Sequence, residues 1–532
     1  MADKTPEPTA DEPATGEEVP PSEEVEDELP PPVIDLTNYP LKTDFFESMH
    51  MLEPSVEKIN GAANFRQING FPVYGVGQPT EEGIKAVIDK IDAGKDESEN
   101  KLLWFNMRLE PIVYVNGTPY APRTEDNLHN NIEIKATEEE IENVEKHFVK
   151  ILEQRRQENP EGVIKIQKDQ AYIENPMERE NKEDEIKVET IQAFGTLIKG
   201  LQENGYSKLE PARIPIVEER SPCEDCFDKI VSILKDEPAS TICLFSCQMG
   251  RGRTTIGMIV ACLIKEIQIT SELRKMGEIG LIPAETVDDL IRQKFETPLP
   301  RSQDDDDPFI KGEFDVIKEL LEKLPESKDG KTKIDRVIDI CGGPPKGSGL
   351  QNLRECVIET KWKYDVAPEE KQVVWKSMIL NFMERYFYLI CFGTYALQYG
   401  SDGFKKTFKE WMNEHQELRG MISEGKDRLE WYRQVDPAKL NTLKELIAAP
   451  DYKDKLGTLI RTIYDFAFLT YADLPRGPIK NNSMRKLAAK TLMEILPPDI
   501  AERVNRKLDE DPNTSHDFVT LVGLVSYYGD QP

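Results

Sequence analysis

The feature that most constrains this chain is the stretch STICLFSCQMGRGRTTIGMIVACLI, from Ser240 to Ile264. A run rich in β-branched and aromatic residues reads as a strand; it ends at a polar loop holding Gly250 and Gly252, and an apolar helix begins at about Arg253. Upstream, the segments FPVYGVG, LLWFNM, IVYVNG and ARIPI read as strands. TEEEIENVEKHFVKILEQRRQE, VETIQAFGTLIKGLQENGY and CFDKIVSILKD read as helices, the first behind a Thr137 cap with Glu140 three residues on. Strands alternating with helices predict an α/β domain with a largely parallel or mixed sheet.

The loop suits one chemistry. Cys247 closes the strand and Arg253 follows six positions later, an arrangement written CX5R. The backbone amides from Gln248 through Met249, Gly250 and Arg251 to Gly252 can point inward at an anion. The helix N-terminus adds its own amides and positive dipole end. Glycine lets the backbone curl this tightly. The same field favours Cys247 as a nucleophile toward phosphorus. Arg253 offers a planar fork for two phosphate oxygens, and Thr254 is placed to donate to the sulfur.

With these residues, CQMGRGRTT resembles the signature of cysteine-dependent phosphatases, and the flanking chain resembles the paladin family, whose repeats are similar to the protein-tyrosine-phosphatase-like phytases of bacteria. The likeness extends to NFRQINGFPVYGVGQPTEEGI (64–84), WFNMRLEPIVYVNGTPY (104–120), RIPIVEERSP (213–222), LQNLRECVIETK (350–361), ERYFYLICF (384–392) and FKEWMNEHQEL (408–418). The chain resembles a single repeat, spanning roughly residues 55–420. The resemblance implies a cysteine-phosphatase-like mixed sheet flanked by helices, a cysteinyl-phosphate intermediate, and no metal or cofactor. Cys247 takes the nucleophile role and Arg253 the phosphate-binding role. Glu218 falls where the phytase-like relatives place a general acid, with Glu219 beside it. Arg108 and Glu110 occupy the place of an Asp-Leu-Arg-x-Glu stretch, which makes Arg108 a phosphate-binding candidate and Arg66 a weaker one. Where active relatives carry histidine before the cysteine, this chain has Ser246.

Domain organisation reads as four parts. Residues 1–35 form an acidic, Pro- and Glu-rich tail expected to be disordered, 36–297 the phosphatase-like domain, 298–308 an acidic linker, and 309–532 a mainly α-helical C-terminal region. ERYFYLICF, at helical spacing, reads as core and not as a membrane anchor.

A formal net charge of -30 argues against nucleic acid as a partner, since phosphate-backbone affinity needs a net basic surface. No run has the length of a membrane span, and the acidic N-terminal region is unlike a secretory signal, so a cytoplasmic location is the expectation. Eight scattered cysteines make no disulfide framework. Cys223-Glu-Asp-Cys226 has metal-ligand spacing without a second pair, and reads as a chance pair in a loop. Arg251, a second guanidinium in the loop, favours ligands with more than one phosphate: phosphoinositide headgroups or inositol phosphates ahead of phosphotyrosine proteins. The competing reading is an inactive pseudophosphatase serving as a phospho-ligand-binding scaffold in signalling. The oligomeric state is left open by the sequence.

Overall fold

The computed structural model describes residues 29–45, 58–169, 181–218, 220–295, 309, 311–342, 351–366, 369–425, 445 and 501–506. Most of the acidic tail, the 298–308 linker, Glu219 and nearly all of the chain after 425 lie outside them. In chain order the strands are β1 (Leu41–Thr43), β2 (Arg66–Gln67), β3 (Val73–Gly77), β4 (Leu102–Arg108), β5 (Val113–Val115) and β6 (Thr118–Pro122). They continue with β7 (Val163–Asp169), β8 (Asn181–Lys187), β9 (Ile191–Ala193), β10 (Leu209–Ile216) and β11 (Ile242–Cys247). The helices are α1 (Glu81–Ile91), α2 (Glu138–Glu158), α3 (Phe194–Glu203), α4 (Glu224–Leu234), α5 (Gly252–Glu278) and α6 (Val287–Phe295). After them come α7 (Asp315–Lys323), α8 (Ser327–Gly342), α9 (Leu353–Val366), α10 (Glu369–Tyr399), α11 (Phe408–Glu414) and α12 (Gln416–Gly425).

One sheet has the order β10-β4-β11-β3-β2, parallel apart from the short β2 at its edge. Every residue of β4 and β11 is buried, as expected of parallel strands covered on both faces. Alternation sorts their side chains. Leu102, Trp104, Ile242 and Leu244 join the core under α1 and α3, whereas Leu103, Phe105, Cys243, Phe245 and Cys247 join the core under α4 and α5. Phe105 and Phe245 stack across the strands with ring centroids 4.6 Å apart. Helix α5 lies so close to β11 that a Cβ at Gly257 would come within 2.4 Å of the Phe245 ring.

The second sheet, β8-β7-β1-β6-β5-β9, is antiparallel except where β1 meets β7. Helix α2 covers it through Ile141, Val144, Phe148 and Leu152, and begins at the Thr137–Glu140 capping box that the sequence predicts. The turn Asn116–Gly117, both residues at positive φ, closes the β5–β6 hairpin.

After α6 every described element is a helix. These helices share a core with the first sheet: Phe227 of α4 stacks on Phe392 of α10 at 5.0 Å and meets Phe408 of α11 edge-on at 5.1 Å. Tyr386, Phe387, Leu389 and Ile390, from the aromatic run, are buried there as its helical spacing implies. The architecture is thus mixed α/β, with two mixed sheets flanked by helices and a helical C-terminal region. Among the described residues no helix is long and apolar enough to cross a membrane.

Candidate active site

Cys247 is the last residue of β11 and pairs in register with Gly77 of β3, at 3% exposure. The loop that follows is gripped from behind by its carbonyls. Gln78 N donates to Gln248 O (2.8 Å), Asn64 Nδ2 to Met249 O (2.8 Å), Arg66 Nη1 to Gly250 O (2.8 Å) and Thr255 Oγ1 to Arg251 O (2.6 Å). In a trans peptide the C=O and the next N–H point in opposite directions. Anchoring these four carbonyls therefore turns the amides of Met249, Gly250, Arg251 and Gly252 to the other side of the loop, as an anion cradle at the start of α5 requires.

Gly250 makes that curl possible. Its φ is +70°, and a Cβ there would lie 2.4 Å from Gly77 N and 2.5 Å from Val76 C. Gly250→Ala is expected to cost about 1–3 kcal/mol or more, read from the midpoint of thermal or denaturant unfolding. Arg66, 3% exposed, works behind the loop, donating also to Asn64 O and to Thr255 Oγ1. Burial pushes its guanidinium down to about 10, opposed by the field of Cys247 and Cys341, so it remains a cation at neutral pH.

Arg253, in the first turn of α5, is 4% exposed and held by Glu110. Nη1 donates to Glu110 Oε2 at 2.7 Å and Nη2 to Glu110 Oε1 at 2.9 Å, while Nη1 also donates to Ile216 O at 3.1 Å. A guanidinium has five N–H groups. Three are used here, and the two remaining, on Nε and Nη2, lie along one edge as a fork. Arg108 stands beside this pair with no exposure. Its Nε donates to Glu110 Oε1 at 2.5 Å, its Nη1 pairs with Asp44 Oδ2 at 2.6 Å, and Asp44 Oδ1 accepts from Arg123 Nη2 at 2.9 Å. Arg108 is thus buried against Glu110 and Asp44, on the carboxylate that also holds Arg253. Burial would raise the Glu110 carboxyl, but Arg108 and Arg253 together hold it far below the usual carboxylate range. For Arg253 burial acts to lower, and Glu110 reverses this so that the guanidinium is raised.

Glu218 follows β10 on the connection to α4, half-buried, and its charge is felt at Arg253. Its Oε2 accepts from Asn131 Nδ2 at 2.7 Å; the same amide donates to Gln248 Oε1 at 2.8 Å, and Gln248 Nε2 donates to Asp44 Oδ1 at 3.1 Å. A cavity of about 80 Å³ opens here, lined by Glu110, Asn131 and Glu218 among others. The expected general acid therefore lies on a cavity wall shared with the carboxylate that holds Arg253.

Ser246 faces away from Cys247, on the α1/α3 side, where its hydroxyl accepts from Trp104 Nε1 at 2.8 Å. Ser246→Ala would leave that buried indole N–H without a partner. The expected cost is about 1–3 kcal/mol in denaturant unfolding. Thr254 is fully buried, and its Oγ1 has no hydrogen-bond partner among the described residues.

Other residues at the site were not singled out in the sequence. Asp44, Arg123 and Asn131 arrive from the second sheet and its connections. Arg385 of α10 reaches the loop: a Cβ at Gly252 would lie 3.2 Å from its Nη1, and its Nε donates to Arg220 O at 3.1 Å. Among the described residues no cluster of His, Cys, Asp and Glu is arranged to hold a metal.

The family comparison includes this loop. Residues 105–265 match the family model PTP-like phytase, described by inositol hexakisphosphate. The curated proteins to which the chain is similar include paladins. The chain is 27% identical to zebrafish (Danio rerio) paladin over 434 residues and 27% identical to human paladin over 436, in each case 73% of this chain and 45% of the relative. With the Xenopus tropicalis protein it shares 28% over 366 residues, 68% of this chain and 37% of the relative. The chain spans less than half the length of these relatives. Solved structures similar to it include the PTP-like myo-inositol phosphatase of Mitsuokella multacida in complex with myo-inositol-(1,3,4,5)-tetrakisphosphate. That match has a TM-score of 0.42 and 15% identity, covering 73% of this chain and 49% of that one. A PTP-like phytase from Bdellovibrio bacteriovorus matches with a TM-score of 0.37 and 12% identity, covering 72% and 97%.

Proposed function

We propose that the chain is a cysteine-dependent hydrolase of phosphate monoesters, acting on inositol polyphosphates or phosphoinositide headgroups. The observation that carries this is the state of Arg253: a buried guanidinium oriented by Glu110, with two of its N–H donors left over, in the first turn of the helix that follows the loop starting from Cys247. A phosphate seated there accepts from the loop amides and from Nε and Nη2 of Arg253. The Cys247 sulfur attacks phosphorus and forms an S–P bond as the O–P bond to the leaving alcohol breaks; Glu218 supplies the proton that the alkoxide needs. Water then attacks the cysteinyl phosphate, giving its proton to Glu218, and phosphate leaves. The Thr254 hydroxyl, without another partner among the described residues, donates to the departing sulfur. Arg108 and Asp44 act through Glu110 as positioning residues.

The preference for polyphosphorylated ligands rests on Arg251 within the loop and on Arg385 against Gly252, with support from the phytase-type match over residues 105–265. Purified chain in metal-chelating buffer is expected to release phosphate from inositol polyphosphates and short-chain phosphoinositides faster than from a phosphotyrosine peptide. Faster release from the peptide would overturn the substrate class. Binding of inositol hexakisphosphate without release from any of these would overturn the hydrolase reading in favour of a phospho-ligand-binding scaffold.

A further inference from the structure

The CxxC pair is not the chance loop feature that its spacing alone suggested. Cys223 is the N-cap residue of the 11-residue helix α4, with extended backbone (φ -70°, ψ 162°) and no side-chain capping bond. Cys226 lies in the first turn, its amide bonded to Cys223 O at 2.9 Å, and the two sulfurs face each other at 2.7 Å. Of the eight cysteines only Cys223 is exposed, whereas Cys226 is 5% exposed and turned toward Pro215 O of β10. One sulfur is thus open to a reagent, and the other is positioned to attack it from behind.

The helix end also favours the open thiol. The acidic side chains of its first turn are paired: Arg419 forks onto both Glu224 oxygens and Lys409 Nζ bonds both Asp225 oxygens, which offsets their charge at the positive end of the helix dipole, although Asp225 still acts to raise the Cys223 thiol. The contact between the two sulfurs lowers the Cys223 thiol to about 7, while the same contact together with burial pushes Cys226 far up. This asymmetry is that of an attacking thiol and a resolving one.

We infer that Cys223 and Cys226 form a redox-active dithiol site that closes to an intramolecular disulfide on reaction with a small-molecule disulfide such as oxidised glutathione. The Cys223 thiolate attacks one sulfur of the reagent, forming a mixed disulfide and expelling one glutathione thiolate. Cys226, giving up its proton to that thiolate, then attacks the Cys223 sulfur and expels the second glutathione. Two protein thiols are oxidised and one glutathione disulfide is reduced to two thiols. The site lies on the connection that also carries Glu218 and Arg220, whose carbonyl accepts from Arg385.

The test is thiol mapping of the full chain after equilibration across ratios of oxidised to reduced glutathione, with free thiols alkylated under denaturing quench. The expected result is a 223–226 cross-link that grows with the ratio in the native chain. Cys226→Ser should instead accumulate glutathione on Cys223, and Cys223→Ser should show no adduct on Cys226. In the reduced native chain at neutral pH, iodoacetamide should label Cys223 before Cys226. Full alkylation of both residues at every ratio, or a glutathione adduct on Cys226 in the Cys223→Ser chain, would overturn the inference.

Discussion

Cys247→Ser is expected to lower phosphate release by about 10⁵-fold or more, because a serine hydroxyl is a poor nucleophile at neutral pH and a serine phosphate, once formed, does not break down as a thiophosphate ester does. Binding should survive. The loop amides and the Arg253 fork do not depend on the sulfur, so the affinity for inositol hexakisphosphate, read by titration calorimetry, is expected to stay within about tenfold of the native value. Arg253→Ala provides the contrast, losing both binding and release. A Cys247→Ser chain that turns over at a rate near the native one would mean that phosphate transfer bypasses the cysteine.

The second large effect is on stability. Glu110 is the common counter-ion of Arg253 and Arg108, all three nearly inaccessible to solvent. Glu110→Gln keeps the shape but leaves two buried guanidinium groups facing each other without their shared charge. Breaking a buried pair in this way costs about 3–5 kcal/mol, to be read from denaturant unfolding at neutral pH. The pH dependence has a definite sign. Because Arg108 and Arg253 outweigh burial and depress the folded-state carboxyl, its contribution is fully present above the unfolded carboxyl range of about 4.3 and is lost as pH falls toward the folded value. The gap between native and Glu110→Gln stability should therefore narrow below about pH 4. Equal unfolding midpoints at neutral pH would show that Arg253 is oriented by something other than Glu110.

What could be read from the sequence was local. The strand, loop and helix around Cys247 are contiguous, and the Thr137–Glu140 capping box is complete within four residues; each therefore leaves its pattern in a short window. The second sheet left almost none. β1 is three residues long, and β8 reads NKEDEIK, mostly charged and largely facing solvent, so neither carries a clear apolar alternation. Its partners are assembled from distant parts of the chain, and so is the ion network that it delivers, Asp44, Arg123 and Asn131 reaching Arg108, Gln248 and Glu218 across gaps that no periodicity records. Arg385 did have a signal: an arginine next to Glu384 at the start of the apolar ERYFYLICF run, which a buried helix tolerates only when the charge is spoken for. The burial of Arg108 against Glu110 and Asp44 likewise could not be inferred from a motif position.

The most direct measurement of the central claim is the mass of the chain quenched in denaturant shortly after mixing with excess inositol hexakisphosphate. The Thr254→Ala chain is the suitable form, since loss of the hydroxyl that assists the departing sulfur should slow breakdown of the intermediate. The expected result is one phosphoryl group per chain, mapped by peptide analysis to Cys247 and absent from the Cys247→Ser chain. Continued phosphate release by the Thr254→Ala chain with no phosphoryl group on Cys247, or with one on a different residue, would contradict the account.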